Sequence, residues 1–299
     1  MATSLPWTFA VPLATLRLRR PDKANRLEEA DLTALLECLA RVEAAPQVRV
    51  LLLRAEGRHF CAGYSFDDLA AAGDGGRFEA VADALENLRP LTVAEVQGGV
   101  FGGATDILLA CDFRLGGPAA QMLMPAARFG LHLYAGLFRR YVSRLGLNAA
   151  KRLILACEKL DARGMLEVGL LTHLYDSRER LAEATEALVA ELTELAPLAL
   201  VGMKRHLNAA AGGGLDRAAV EADVRRCAAS ADFQEGLRAL REKASAALRG
   251  ALSLFFAAEP CPHAIRWTRS PAAFSRSVAA DSRASMREAA RRHPLRNIR

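Results

Sequence analysis

Residues 97–115 read QGGVFGGATDILLACDFRL. Five small residues, Gly98, Gly99, Gly102, Gly103 and Ala104, stand before an apolar run, and one carboxylate, Asp106, sits at the start of that run. Glycines let backbone N–H groups approach a ligand with no side chain in the way. A helix starting near Thr105 adds a potential that favours negative charge at its N-terminal end. The stretch reads either as an anion-binding turn or as a tight turn with close helix–strand packing, and its glycines alone do not separate the two.

Outward from this stretch, the front half alternates strand and helix signals. TFAVPLATLRLRR (8–20) has strand-like alternation, LEEADLTALLECLARVEAA (27–45) has apolar residues at helical spacing, and VRVLLLR (48–54) is a buried-strand run bounded by Gln47 and Glu56. LTVAEVQ, DFRL and QMLM follow as further strands. This alternation implies βαβ-type units with mostly parallel pairing. From Gly136 onward helical patterns dominate, through GLFRRYVSRLG, NAAKRLILAC, a stretch opened by Asp161 as N-cap, and long segments from Arg178 to Arg249. GLLTHLYD (169–176) reads as one more short strand, and no internal repeat is present.

The chain has 299 residues and a formal net charge of +6. Residues 251–299 carry nine Arg and three acids, so the rest is balanced at 31 Lys+Arg against 31 Asp+Glu. The body therefore has no overall basic excess to attract a polyanion, and nucleic acid is not an expected partner. No apolar run reaches the length of a membrane span, and the N-terminus has no signal-peptide pattern. The six cysteines form no CxxC pair and the six histidines no HxxxH or HExxH pattern, so reduced thiols, no metal and a cytoplasmic location are expected. After about Gly250 the chain is rich in Arg, Ser, Ala and Pro with little apolar periodicity, the pattern of a basic, poorly ordered tail that adds little to the fold or the site.

A second bare turn shifts the balance towards a site. EGRHFCAGYSFDDL (56–69) follows the strand VRVLLLR and places Ala62-Gly63 just past its end. Two amides, one from each turn, then converge on one oxygen as an oxyanion hole, in which losing one donor typically costs about 3–4 kcal/mol of barrier. Asp67 and Asp68 read as N-caps of the following helix.

These fragments, in this order, resemble the crotonase, or enoyl-CoA hydratase/isomerase, superfamily. The resemblance runs from about Thr8 to Gly250, through RPDKANRL, GRHFCAGYSFDDL, VQGGVFGGATDILLACDFRL, MPAARFGL, LDARGMLEVGLLTHLY and DFQEGLRALREK. It implies an α/β fold, a crotonase-like ββα spiral with a C-terminal helical trimerisation region: core 1–190, helical region 191–250 and tail 251–299. It also implies an acyl-CoA substrate, with coenzyme A as part of that substrate and no separate cofactor, a homotrimer or dimer of trimers, and a place in fatty acid metabolism.

By motif position, the resemblance makes the amides of Tyr64 and Gly103 the oxyanion donors and Asp106 a candidate base. It sets Lys23 and Ala24 where the family holds CoA, although Lys23 reads equally well as a solvated lysine. Ala62, Gly63, Ser65 and Phe66 join the thioester site from the first turn, and Gly99 and Gly102 from the second. Pro125 and Ala126 border it.

Hydratases of the family use two glutamates around one water. The first stands where Asp106 is, and the second where Ala126 is. Dienoyl-CoA isomerases have aspartate at the first position but add two further acids, at positions that read Ala126 and Tyr134 here. Ser65 also replaces an acid often found after the first turn. His132 and Tyr134 are the available substitutes for the missing acid, since histidine titrates near neutral pH and tyrosine donates a hydrogen bond; the competing and preferred reading is that both only shape the pocket wall. Two functions stay open: an acyl-CoA enzyme of the hydratase/isomerase type using the oxyanion hole, and a CoA-thioester-binding protein that has lost hydratase activity and acts as a binding or assembly subunit.

Overall fold

Val50–Ala55 (β3) shows why a continuous apolar run forms a strand here. Leu51, Leu53 and Ala55 enter one apolar cluster, while Val50 and Leu52 enter a second on the opposite face. Both faces of the strand are thus covered, so period-two alternation disappears. Leu13–Leu18 (β2) still alternates, with Ala14, Leu16 and Leu18 inward. The first cluster takes Leu32, Leu35 and Leu39 from Glu29–Glu43 (α1); the second takes Leu181, Val189 and Leu192 from Arg178–Glu194 (α8).

The computed structural model describes residues 7–72, 76–242 and 246–248. All of them belong to the first of two units, Met1–Phe255. The expected tail, residues 251–299, lies outside the described residues. Trp7–Ala10 (β1), β2, β3, Leu91–Val96 (β5), Phe113–Gly116 (β7) and His173–Leu174 (β10) form a six-stranded sheet in that order. Its pairs are parallel except the β1–β2 hairpin. His59–Cys61 (β4), Gly99–Phe101 (β6), Gln121–Leu123 (β8) and Leu160–Asp161 (β9) form a second, four-stranded sheet, parallel except for β9.

Each turn of the chain runs from the first sheet to the second and then into a helix. β3 and β4 lead to Phe66–Ala72 (α2) and Gly76–Glu86 (α3). β5 and β6 lead to Ala104–Ala110 (α4), and β7 and β8 to Ala135–Leu145 (α5). This is the expected ββα spiral. Leu147–Leu155 (α6) and Ala162–Glu167 (α7) follow, and Asp161 caps α7 by accepting from the Gly164 amide at 2.8 Å, as its sequence position suggests.

Pro197–Ala211 (α9), Arg217–Ala228 (α10) and Ala231–Glu242 (α11) complete the C-terminal helical region. The expected division at 190/191 falls inside α8, which has no helix breaker before Leu195. Among the described residues, no helix is long and apolar enough to cross a membrane.

Candidate functional site

Three strands of the second sheet, β4, β6 and β8, carry the site at their C-terminal ends. Gly63, just past β4, has φ +86°, and a Cβ there would lie 2.6 Å from the Phe101 carbonyl oxygen and 3.2 Å from the Gly103 nitrogen. Only glycine lets the two turns come this close. Gly102, just past β6, has φ +55° and donates to the Leu123 carbonyl at the end of β8 (2.9 Å). The Gly63 carbonyl accepts from the Leu27 amide and the Ser65 amide donates to the Leu27 carbonyl, both at 2.8 Å, which fixes the backbone on either side of Tyr64. The amides of Tyr64 and Gly103 donate to no group among the described residues. Two free N–H donors on adjacent turns are what an oxyanion hole requires.

The segment expected to hold CoA is stitched to the first turn. Ala24 and Asn25 both have positive φ, 52° and 54°. The Asn25 side chain accepts from the Arg20 amide (2.9 Å) and donates to the Glu56 and His59 carbonyls (2.8 and 2.9 Å). The Ala24 carbonyl accepts from the Ala62 amide at 3.0 Å, so Ala24 and Ala62 are neighbours. Lys23 is half exposed and pairs with Glu28 at 3.2 Å. Gly99 lies in β6, between His59 of β4 and Gln121 of β8.

Asp106 lies on α4, one turn after Gly103, and is fully buried. Arg140 of α5, also fully buried, donates to both of its oxygens, Nε to Oδ1 and Nη2 to Oδ2, each at 2.7 Å. The Tyr134 hydroxyl donates to Oδ2 at 2.8 Å. Arg140 also bonds Asp83 (2.5 Å) and Glu86 (3.1 Å) of α3, and Glu86 in turn pairs with Arg139 and Arg144. Burial pushes the Asp106 carboxyl up from the usual aspartate range, and the Arg140 and Tyr134 hydrogen bonds pull it only part of the way back. Burial, then Asp106, push the Tyr134 phenol well above its ordinary value, so it stays protonated. The acid of the opening stretch therefore has a partner, and it is an arginine.

Sequence reading missed Arg140. The signal was available: Gly136, Leu137, Arg140 and Tyr141 form the buried stripe of α5, and a charge inside an apolar helical stripe needs a buried counter-charge.

Ala126 is buried and opens the 3-10 turn Ala126–Phe129, with Pro125 before it. The residue that the resemblance sets at the second carboxylate position is thus a methyl group packed in the main apolar cluster, against which Tyr64 and Tyr134 also pack. His132 is exposed; its Nδ1 lies 2.8 Å from the Leu133 carbonyl and its ring stands edge-on to Phe138. Of the two proposed substitutes, only Tyr134 touches Asp106.

One reading needs correction. Asp67 and Asp68 do not cap α2. Ser65 precedes that helix, is buried, and its Oγ accepts from the Asp68 amide at 3.5 Å; Asp68 instead accepts from the Glu29 amide (3.2 Å) at the start of α1. Ser65 therefore serves as a cap in place of the expected acid. The Tyr64 side chain turns to Glu29, to which it donates at 2.5 Å, so only its backbone belongs to the turn. Phe66 and Phe129, 58% and 62% exposed, meet edge-on at 5.2 Å, joining the segment after Tyr64 to the segment after Ala126.

With this geometry in place, comparison with known proteins gives a consistent result. A family model described as enoyl-CoA hydratase/isomerase matches residues 9–250. A Mycobacterium leprae protein named "Probable enoyl-CoA hydratase echA6" is 30% identical over 205 residues, covering 67% of this chain and 81% of its own length. The mitochondrial Delta(3,5)-Delta(2,4)-dienoyl-CoA isomerase of Mus musculus is 23% identical over 210 residues, 64% of each chain. The crystal structure of an enoyl-CoA hydratase from Shewanella pealeana superposes with a TM-score of 0.73 at 25% identity, covering 81% of this chain and 95% of that one.

Proposed function

Because the chain belongs to the enoyl-CoA hydratase/isomerase family, within the crotonase superfamily, we propose that it binds an acyl-CoA thioester with the thioester oxygen between the Tyr64 and Gly103 amides, as an enzyme of the hydratase/isomerase type. The observation that carries this reading is the pair of free amides on adjacent turns, held so close that Gly63 leaves no room for a Cβ. Coenzyme A enters as part of the substrate, alongside Ala24 and Ala62. The Phe66–Phe129 pair offers the acyl chain an apolar wall. Negative charge on the thioester oxygen, formed when a proton leaves the α-carbon or a nucleophile adds at the β-carbon, is stabilised by the two donors.

The reaction is not the two-carboxylate hydration of 2-enoyl-CoA. One carboxylate position is the Ala126 methyl, and the other is an aspartate whose oxygens are already bonded to Arg140 and Tyr134. The same observation favours the second reading, a site that binds the thioester without converting it. A panel of acyl-CoA substrates, with calorimetry for binding and mass spectrometry for conversion, separates the two.

The donor assignment has its own test. Gly103→Pro removes the N–H, while Gly103→Ala keeps it; both put a Cβ about where Phe78 lies, 2.8 Å away. Any turnover found should fall 10²–10³-fold further in the Pro variant than in the Ala variant. Equal losses in two folded variants would remove Gly103 from the oxyanion hole.

A further inference from the structure

We infer that Arg140 is a positioning residue that locks Asp106 out of proton transfer, so that this site holds an acyl-CoA thioester without using Asp106 as a base. The inference rests on the proposed thioester site and says what stands beside it. An ionised carboxylate has about four acceptor positions. Three are filled here, by Arg140 Nε, Arg140 Nη2 and the Tyr134 hydroxyl. Guanidinium does not give up its proton in proteins. A proton arriving on Asp106 would have to take the one open position, on Oδ1, and would remove the anion that faces a fully buried cation.

The elements packed around the pair hold Arg140 in place, while the Glu86 charge taken alone pushes the Asp106 carboxyl up. From α3, Asp83 and Glu86 hold the other face of the guanidinium, and Glu86 adds negative charge that is itself shared with Arg139 and Arg144. From just before α5, Tyr134 donates to Asp106, and from α5 itself Tyr141 meets Thr105, the residue before Asp106, at 2.5 Å between hydroxyl oxygens. Glu79 of α3 accepts from the Gly136 amide at 2.7 Å and pins the start of α5. Arg140 therefore has little freedom to swing away and release the carboxylate when a ligand enters.

The test is exchange of the α-hydrogens of butyryl-CoA in D2O, followed by mass spectrometry, on the full chain. Wild-type protein should bind butyryl-CoA yet show no exchange that Asp106→Asn removes. Arg140→Gln keeps a hydrogen-bond donor but removes the charge, and should raise exchange at least tenfold, with a rate that climbs with pH. Asp106→Asn in the Arg140→Gln background should abolish the gain. Butyryl-CoA affinity should stay within threefold throughout, which a general loss of structure would not allow. Exchange in the wild type that falls tenfold or more in both Asp106→Asn and Arg140→Gln would overturn the inference, because Asp106 would then be a working base that Arg140 assists.

A readout on the wild type covers the case in which Arg140→Gln fails to fold. With carboxyl-labelled aspartate, the Asp106 carbon signal, assigned by its loss in Asp106→Asn, should not move between pH 5 and 9, with or without butyryl-CoA; a signal that titrates in that range overturns the lock. Failure to bind butyryl-CoA at all would instead strike at the proposed thioester site and leave the carboxylate signal to decide the lock.

Discussion

Ala126 and Asp106 show what a single residue decides. The resemblance sets a methyl group, Ala126, where a second carboxylate would stand, and that expectation needed no coordinates because it rests on one letter in the stretch MPAARFGL. The fate of Asp106 was not legible, since it depends on Arg140, 34 residues away on another element. Sequence periodicity places both residues on buried faces but does not say that they meet. Ala126→Glu tests the two positions together. Acid–base help from a positioned group is typically worth 10²–10⁴-fold, but with Asp106 bonded to Arg140 the new glutamate acts alone. We expect crotonyl-CoA hydration to rise about tenfold at most in Ala126→Glu and not at all in Ala126→Gln, measured by loss of the enoyl absorbance. Hydration by the wild type at the rate of an efficient enzyme would contradict this account of both positions.

Helices α3 and α5 are joined by charge as well as by apolar contact. Glu86 of α3 is buried and receives Arg139, Arg140 and Arg144 from α5. Burial alone would raise its carboxyl; Arg139 and Arg144, then Arg140, outweigh that and hold it at about 2 against an ordinary 4.5. A carboxyl depressed in the folded state stabilises the fold above its unfolded pKa and loses that contribution as pH falls through its folded pKa. The shift of roughly 2.5 units corresponds to about 3 kcal/mol, present above about pH 4.5 and lost progressively down to about pH 2. Urea unfolding midpoints measured from pH 6 to pH 2.5 should fall in that window, and Glu86→Gln should flatten the fall while lowering stability at pH 6. A wild-type midpoint that is level across the window would show that the cluster does not couple to folding. The same element scale explains what the sequence hid. β3, β5 and β7 are four to six residues long and show their apolar runs plainly, whereas β4 and β6 are three residues each and lie inside the two glycine turns, where their letters read as loop.

At the scale of the whole molecule, α9, α10 and α11 bury little of their apolar surface against their own chain. Within the chain, α9 buries Gly202 and Lys204, α10 buries Asp223, and α11 buries Asp232 and Ala239. Leu200 of α9 packs against the second apolar cluster, but other large apolar residues face outward: Leu207 is 71% exposed, Val224 63% and Leu240 76%. Helices that leave their apolar side chains in water signal a missing partner, since monomers rarely expose extended apolar patches. The family resemblance implied a trimer, and these exposed side chains are the physical demand that a second copy of the chain would meet. A stable interface buries roughly 1,600 Å² in total. Light scattering should give three or six times the chain mass, and Leu207→Glu with Leu240→Glu should reduce it, because a buried charge without a partner is strongly unfavourable. Truncation after residue 248 separates cover by other copies from cover by the chain's own remaining residues: an unchanged mass ratio assigns the patch to other copies, and loss of assembly assigns the patch, or its organisation, to residues 249–299. A wild-type chain that is monomeric at micromolar concentration would remove the interface altogether and leave these leucines without an account.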